Sequence, residues 1–290
     1  MVRVTRREAL LISLAAAVTE ARAAAKGPPL WIAERGRQKA FLFGQMPVRP
    51  ESTWFSPTIQ QAFDSSTELW VENPEFDPAE IKAVLSKRPA GPTLKEAASA
   101  AQLQRLHAVL VRAGKPADAF DGVPLAAAYS AMTSISEPAS GPDAKVIPEA
   151  MLKARAKAAA KPVHSEWKSF AEIERFQSDM PDAQRRRVQL ELFGKELDAA
   201  EDPKGVERML TQWLVGTLDA LDAQDRQLRE RYAAIYGHVG ADRNKAWVPR
   251  IESALVREQI PFVCVGILHV IGPESILAHL ARSGFSIRRA

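Results

Sequence analysis

Apolar residues gather in short runs at the two ends of the chain and recur at helical spacing between them. Leu30–Trp31–Ile32–Ala33 and Lys39–Ala40–Phe41–Leu42–Phe43–Gly44 flank a turn at Gly36, the pattern of a β-hairpin. Ser56–Pro57 opens a predicted helix through Phe63, because serine caps a helix and proline suits its first turn. Glu68–Leu69–Trp70–Val71–Glu72 reads as a third strand that ends on a carboxylate, with Pro74 as its stop. From Pro78 to about Val239 the strand pattern is absent. Apolar positions there follow a helical period, as in Leu103, Leu106, Leu110 and Val111. Arg88–Pro92 and the looser Ser134–Pro142 interrupt this region, and the second is the predicted mobile loop. After Asp242–Arg243–Asn244 a helix is predicted to about Glu258. A strand at Phe262–Val265, a helix from Pro273 to Arg282 and a closing strand Phe285–Arg288 follow.

These elements predict an α/β (α+β) fold: a small mixed sheet built from both chain ends, with a large helical insertion between the strands. The sheet core spans 30–73 and 246–290, the insertion 78–240, all within one domain, 26–290. Such a split layout puts residues near 44, 72 and 269 on one edge of the sheet.

Composition agrees with a packed globular chain, at 290 residues, 46% hydrophobic and 26% charged. The formal net charge is +4. Residues 1–25 supply half of it, with Arg3, Arg6, Arg7 and Arg22 against Glu8 and Glu20. Basic clusters such as Arg185–Arg186–Arg187 fall in helical patterns beside Asp179, Asp182 and Glu191, which reads as a solvated face and not a nucleic-acid surface. The first 25 residues pattern as an export signal: a charged start, a short apolar stretch from Ala9 to Val18, and Ala21–Arg22–Ala23 as a small-x-small cleavage site. Thr5–Arg6–Arg7 approaches a twin-arginine signal, so the Sec and twin-arginine routes both stay open, with the periplasm as the expected destination. The apolar stretch is too short for a stable membrane span, which takes about 20 residues. Cys264 is the single cysteine and lies in an apolar run, which predicts a buried, inert thiol.

The chemistry concentrates at predicted strand ends. Phe262–Val263–Cys264–Val265 stops at Gly266, His269 follows, and Gly272–Pro273 turns the chain. Open α/β sheets build their sites at the carboxyl ends of strands. Glu72 and His269, with Arg243 and Asn244, all fall at element ends. One imidazole and one carboxylate at neighbouring strand ends can ligate a divalent metal, or serve as a general base with its orienting partner. The other histidines, 107, 164, 238 and 279, lack ligand spacing. No G-x-S-x-G elbow, H-E-x-x-H, Walker loop or cysteine pair is present.

The order of these features resembles the TraB/GumN (PrgY-like) family, related to the Tiki proteases and more remotely to erythromycin-esterase-like hydrolases. Leu30–Trp31 through Gly44 is similar to its opening "LW…YLFGT-x-H", and Leu69–Trp70–Val71–Glu72 to its "L-V-V-E" strand. Thr93–Leu94 with Leu103, Leu106 and Gly114 resembles its first helical segment, and Gln212 to Leu218 its "A-W-L-x-G-D-L". Asp242–Arg243–Asn244 resembles "E-R-N", and Phe262 to Gly272 resembles "F-V-A-V-G-x-x-H-L-x-G". The resemblance implies a metal-dependent or general-base hydrolase of peptidase type. Glu72 and His269 would be its catalytic and metal-binding groups, Arg243 an electrostatic or substrate-binding group, and Gly44, Gln45, Asn244 and Gly266 the pocket lining. Mn, Co or Zn is the implied metal. Haem or metal-cofactor binding by distant relatives is a further implication.

One position departs from the pattern. The first G-x-x-H motif reads Gly44–Gln45–Met46–Pro47, and proline has no ligating or proton-accepting side-chain atom. The "L-E-[ST]" segment survives only as Ser165–Glu166–Trp167–Lys168. Zinc-type sites take about three protein ligands, so Pro47 weakens the metal expectation unless Gln45 or His164 substitutes. The alternative is a pseudoenzyme that binds a peptide or small ligand in the same pocket without turnover.

Overall fold

The computed structural model describes residues 27–88, 91–136 and 145–290. The export-type leader, part of the first interruption and most of the predicted loop at 134–142 lie outside them. Strand β1 (Leu30–Arg35) and strand β2 (Gln38–Gln45) form the predicted hairpin, with Arg35 opposite Gln38. The two-residue loop between them needs a left-handed residue, and Gly36 supplies it at φ +61°. Four more strands complete the sheet: β3 (Glu68–Val71), β4 (Val163–Ser165), β5 (Pro261–Gly266) and β6 (Ser286–Arg289).

Their order across the sheet is β4-β3-β5-β2-β1-β6. β4, β3, β5 and β2 run parallel, while β1 is antiparallel to both β2 and β6. The mixed sheet from both chain ends is therefore present, with a largely helical middle. β5 is the central partner of β3 and β2, and its first five residues are all buried. A strand covered on both faces reads as a continuous apolar run, which is why its sequence does not alternate. No helix among the described residues is long and apolar enough to cross a membrane.

The main core sits on this sheet. Phe43, Trp54, Trp213, Trp247 and Phe262 are each at most 1% exposed, and Phe43 stacks on Trp54 with ring centroids 5.5 Å apart. Burying side chains of this size contributes roughly 1.5–3 kcal/mol apiece. The helix Pro57–Ser65 adds Ile59, Ala62 and Phe63, and it starts where expected because Ser56 Oγ accepts the Ile59 N–H. The insertion has a second core, in which Leu94, Leu106, Val109 and Leu110 meet Leu125, Met132, Phe193 and Leu197. Cys264 is fully buried, and burial pushes its thiol well above the ordinary value.

Two expectations change. The insertion is not free of strand, because β4 lies within it and pairs with β3 through Trp70 and His164. It was invisible as a pattern because three residues, Val163–His164–Ser165, contain a single aliphatic one. The helix after β5 starts at Ile276, not Pro273. Gly272, at φ +82°, turns the chain first, and Ser275 then caps by accepting the Ala278 N–H.

Candidate functional site

Parallel strands deliver their carboxyl ends to the same sheet edge. Glu72 follows β3, Glu166 follows β4, Gly266 ends β5, and His269 lies in the short 3-10 turn Ile267–His269 after it. Facing them is the start of the helix Arg243–Val256, which follows a π-helical turn, Tyr236–Asp242. Arg243, Asn244 and Trp247 all contact the cluster from that helix, two of them one turn apart.

Arg243 is the centre. Its Nη2 lies 2.6 Å from Glu72 Oε2 and 2.6 Å from Glu166 Oε2, and its Nε lies 3.0 Å from Glu166 Oε1. The two-point grip on Glu166 matches the fork of a guanidinium to the plane of a carboxylate. Trp247 Nε1 donates to Glu166 Oε2 at 3.2 Å. Glu72 has two further partners: the Gly266 N–H donates to Oε1 at 2.5 Å, and His269 Nε2 lies 3.3 Å from Oε2. His269 Nδ1 is 2.6 Å from Asn244 Oδ1, and Asn244 Nδ2 donates to the Glu274 carbonyl at 2.8 Å. That second bond fixes the amide, so Nδ1 carries a proton and Nε2 is the nitrogen turned to Glu72.

The group is buried. Side-chain exposure is 2% for Glu166, 11% for Arg243 and His269, and 13% for Glu72. Burial works against ionisation of Glu72, but the charge and hydrogen bond of His269, the Arg243 guanidinium and the Gly266 N–H outweigh it and hold its carboxyl well below the usual carboxylate range. Burial also disfavours the Arg243 cation, and Glu166 and Glu72 more than reverse that, pushing it further up. The cluster is thus a set of mutually satisfied charges, and His269 completes an ion pair with Glu72 only when both ring nitrogens are protonated.

Glu72, His269, Arg243 and Asn244 therefore converge, although the sequence separates them widely. Gly266 joins through its backbone N–H, and a Cβ there would lie 3.3 Å from Glu72 Oε1. Gly44 serves the site from behind: its carbonyl accepts the Trp213 indole N–H at 2.7 Å, and a Cβ would lie 2.4 Å from Ile267 Cδ1. Gln45 does not reach Glu72 or His269 by any hydrogen bond; it pairs with Glu149 instead. His164 sits beside Trp70 in the sheet, but its ring stacks on Trp70 and turns away from the strand ends to Glu68, 3.2 Å away. Four residues of strand, about 13 Å, separate Glu68 from Glu72. Sequence reasoning undervalued Glu166, the most buried acid of the cluster, and missed Trp247 and Glu149. The only available signals were the position of Trp247 one turn after Arg243 and the loose L-E-[ST] match.

A family model settles kinship, since it matches residues 29–289. The chain belongs to the TraB/PrgY/gumN family. No curated protein and no solved structure matches it. The metal implied for TraB/PrgY/gumN relatives does not fit this cluster. His269 Nε2 and Glu72 Oε2 have a separation that one ion can bridge, but the Arg243 guanidinium already sits on the same oxygen and on both oxygens of Glu166. A second cation there would face a fixed positive charge at contact distance. Among the described residues no three His, Cys, Asp or Glu side chains are arranged to hold a metal ion.

Proposed function

We propose that this TraB/PrgY/gumN protein is an exported, non-hydrolysing member of its family that binds a peptide or small ligand at the strand-end edge. One observation carries this reading: the Arg243 guanidinium is shared between Glu72 and Glu166, so the two strand-end acids serve each other's burial and not an ion or a water nucleophile. Pro47, in place of an imidazole, supports it from the sequence side. Support for export comes from the charge and small-residue pattern of residues 1–25.

The deciding experiment is calorimetric titration of purified protein with Mn²⁺, Co²⁺ and Zn²⁺, alongside hydrolysis assays on a fluorogenic peptide library. The expected result is no saturable binding and no turnover above blank. Tight metal binding or metal-dependent cleavage would overturn the proposal. Thermal shifts with the same peptides, in unlabelled form, test the binding half. Intact mass of protein recovered from its native host tests export, with the mature chain starting between Arg22 and Gly27; a retained Met1 on the soluble, folded product overturns it.

A second reading rests on the orientation of His269. With Nδ1–H held by Asn244 Oδ1, Nε2 is the nitrogen left to accept a proton, from a substrate or water that replaces its 3.3 Å contact with Glu72 Oε2. Turnover that survives chelators and disappears in His269→Ala would select this reading over the first.

A further inference from the structure

A second buried ion pair lies beside the strand ends, and the cluster around Arg243 does not account for it. Glu149, in the first turn of the helix Pro148–Ala158, is 5% exposed, and the side chain of Lys153 is 15% exposed. Lys153 Nζ lies 2.8 Å from Glu149 Oε1, and it donates to the carbonyls of Asn73 at 2.5 Å and Pro74 at 3.3 Å, just beyond Glu72. Three N–H donors thus meet three oxygen acceptors. Glu149 Oε2 accepts from Gln45 Nε2 at 3.3 Å, and Gln45 Oε1 accepts the Glu149 N–H at 2.8 Å.

This arrangement differs from an ordinary i,i+4 pair on a helix. A carboxylate and two carbonyls are the donor chemistry of a hard cation, and they come from two separate segments of the chain. Pro47 lies between Gln45, bonded to Glu149, and Val48, bridged to Val146, and so runs alongside the start of the same helix. Three buried acids, Glu72, Glu149 and Glu166, stand against two basic side chains, Arg243 and Lys153, and the imidazole of His269.

We propose that Lys153 is a built-in cation: its ammonium fills an oxygen-lined site beside the strand ends and holds the link after β3, the end of β2 and the helix Pro148–Ala158 together without a bound ion. The inference rests on the metal-free reading of the neighbouring cluster, but its test is separate.

Melting temperatures of the full chain would be compared for wild type, Lys153→Ala, Lys153→Met and the double variant Lys153→Met/Glu149→Gln, with and without millimolar Ca²⁺. Removing one partner of a buried pair should lower the melting temperature by roughly 6–20 °C. The double variant should recover most of that loss, because no charge is left unpaired. Ca²⁺ should raise Lys153→Ala, whose site is vacated, and leave wild type unchanged. A Lys153→Ala protein that melts with wild type, a double variant no more stable than Lys153→Met, or an equal Ca²⁺ response in wild type and Lys153→Ala overturns the inference. If Lys153→Ala does not fold, Lys153→Met and the double variant carry the test. Failure of the metal-free reading shows elsewhere, as Mn²⁺, Co²⁺ or Zn²⁺ binding by wild type while this cycle is unaffected.

Discussion

Replacing Arg243 by methionine removes the cation that two buried acids share and keeps most of the side chain's apolar volume. Glu72 would keep His269 and the Gly266 N–H, whereas the Glu166 carboxylate would keep only the Trp247 indole at 3.2 Å. The cost therefore falls mainly on Glu166, whose side chain is 2% exposed. Truncating one partner of a buried pair costs about 3–5 kcal/mol. At this chain length each kcal/mol moves the melting temperature by about 2–4 °C, so a fall of roughly 6–20 °C is expected. Arg243→Lys keeps the charge but cannot grip Glu166 through two nitrogens, and should lose about half as much. Arg243→Met/Glu166→Gln should regain more than half of the single loss, since glutamine bonds the indole without a charge. Differential scanning calorimetry of the purified proteins reads all three. An Arg243→Met protein within about 2 °C of wild type, or a double variant below the single, would refute the view that the guanidinium exists to neutralise these acids.

Three further outcomes follow from the same geometry. Because the folded Glu72 carboxyl is held below its ordinary value of 4.5, its contribution is complete above that pH and is lost as pH falls from there toward the folded value. The stability gap between wild type and Glu72→Gln should therefore narrow below pH 4.5; melting curves across that range check it, and a gap that widens in acid contradicts it. Gly44→Ala should destabilise by about 1–3 kcal/mol, because its Cβ would meet Ile267 Cδ1 at 2.4 Å, Val270 Cγ2 at 2.6 Å and the Ile267 backbone at 3.2 Å; chemical denaturation measures it. Pro47→His alone should leave a Zn²⁺ titration flat, since an added imidazole does not displace Arg243 from Glu72 and Glu166; saturable binding by that variant would show that the missing ring was the sole obstacle.

How much of this was legible depended on how each residue signals its place. β2, β3 and β5 carry apolar runs that end on glycine or a carboxylate, so pattern alone puts Glu72, Gly266 and His269 on one edge. Arg243 and Asn244 were legible as the start of a helix, and their convergence on the strand ends followed from the split layout. β4 was not legible, because an edge strand of three residues with one aliphatic side chain has no period to detect, and Glu166 stayed half-hidden with it. Glu149 and Lys153 have the spacing of an exposed helix pair; only tertiary packing against Gln45 and the Asn73–Pro74 link buries them. Gln45 was placed at the right strand end but aimed at the wrong partner, since register fixes where a side chain emerges and not which acid it meets.

The parallel pairing of β2 with β5 has a consequence for how the chain reaches this state. Phe41 sits beside Phe262, and Leu69 beside the same residue from the other side, so the central position of the sheet is filled by a segment synthesised long after both of its neighbours. Until β5 emerges, β2 and β3 have no partner between them, and their apolar faces wait while the helical middle collapses on its own local contacts. Pairings this distant along a chain make folding slow, because loop closure must precede the contacts that reward it. The nascent protein is thus an incomplete sheet until β5 is made, and deleting β5 alone would remove the strand on which its two neighbours depend.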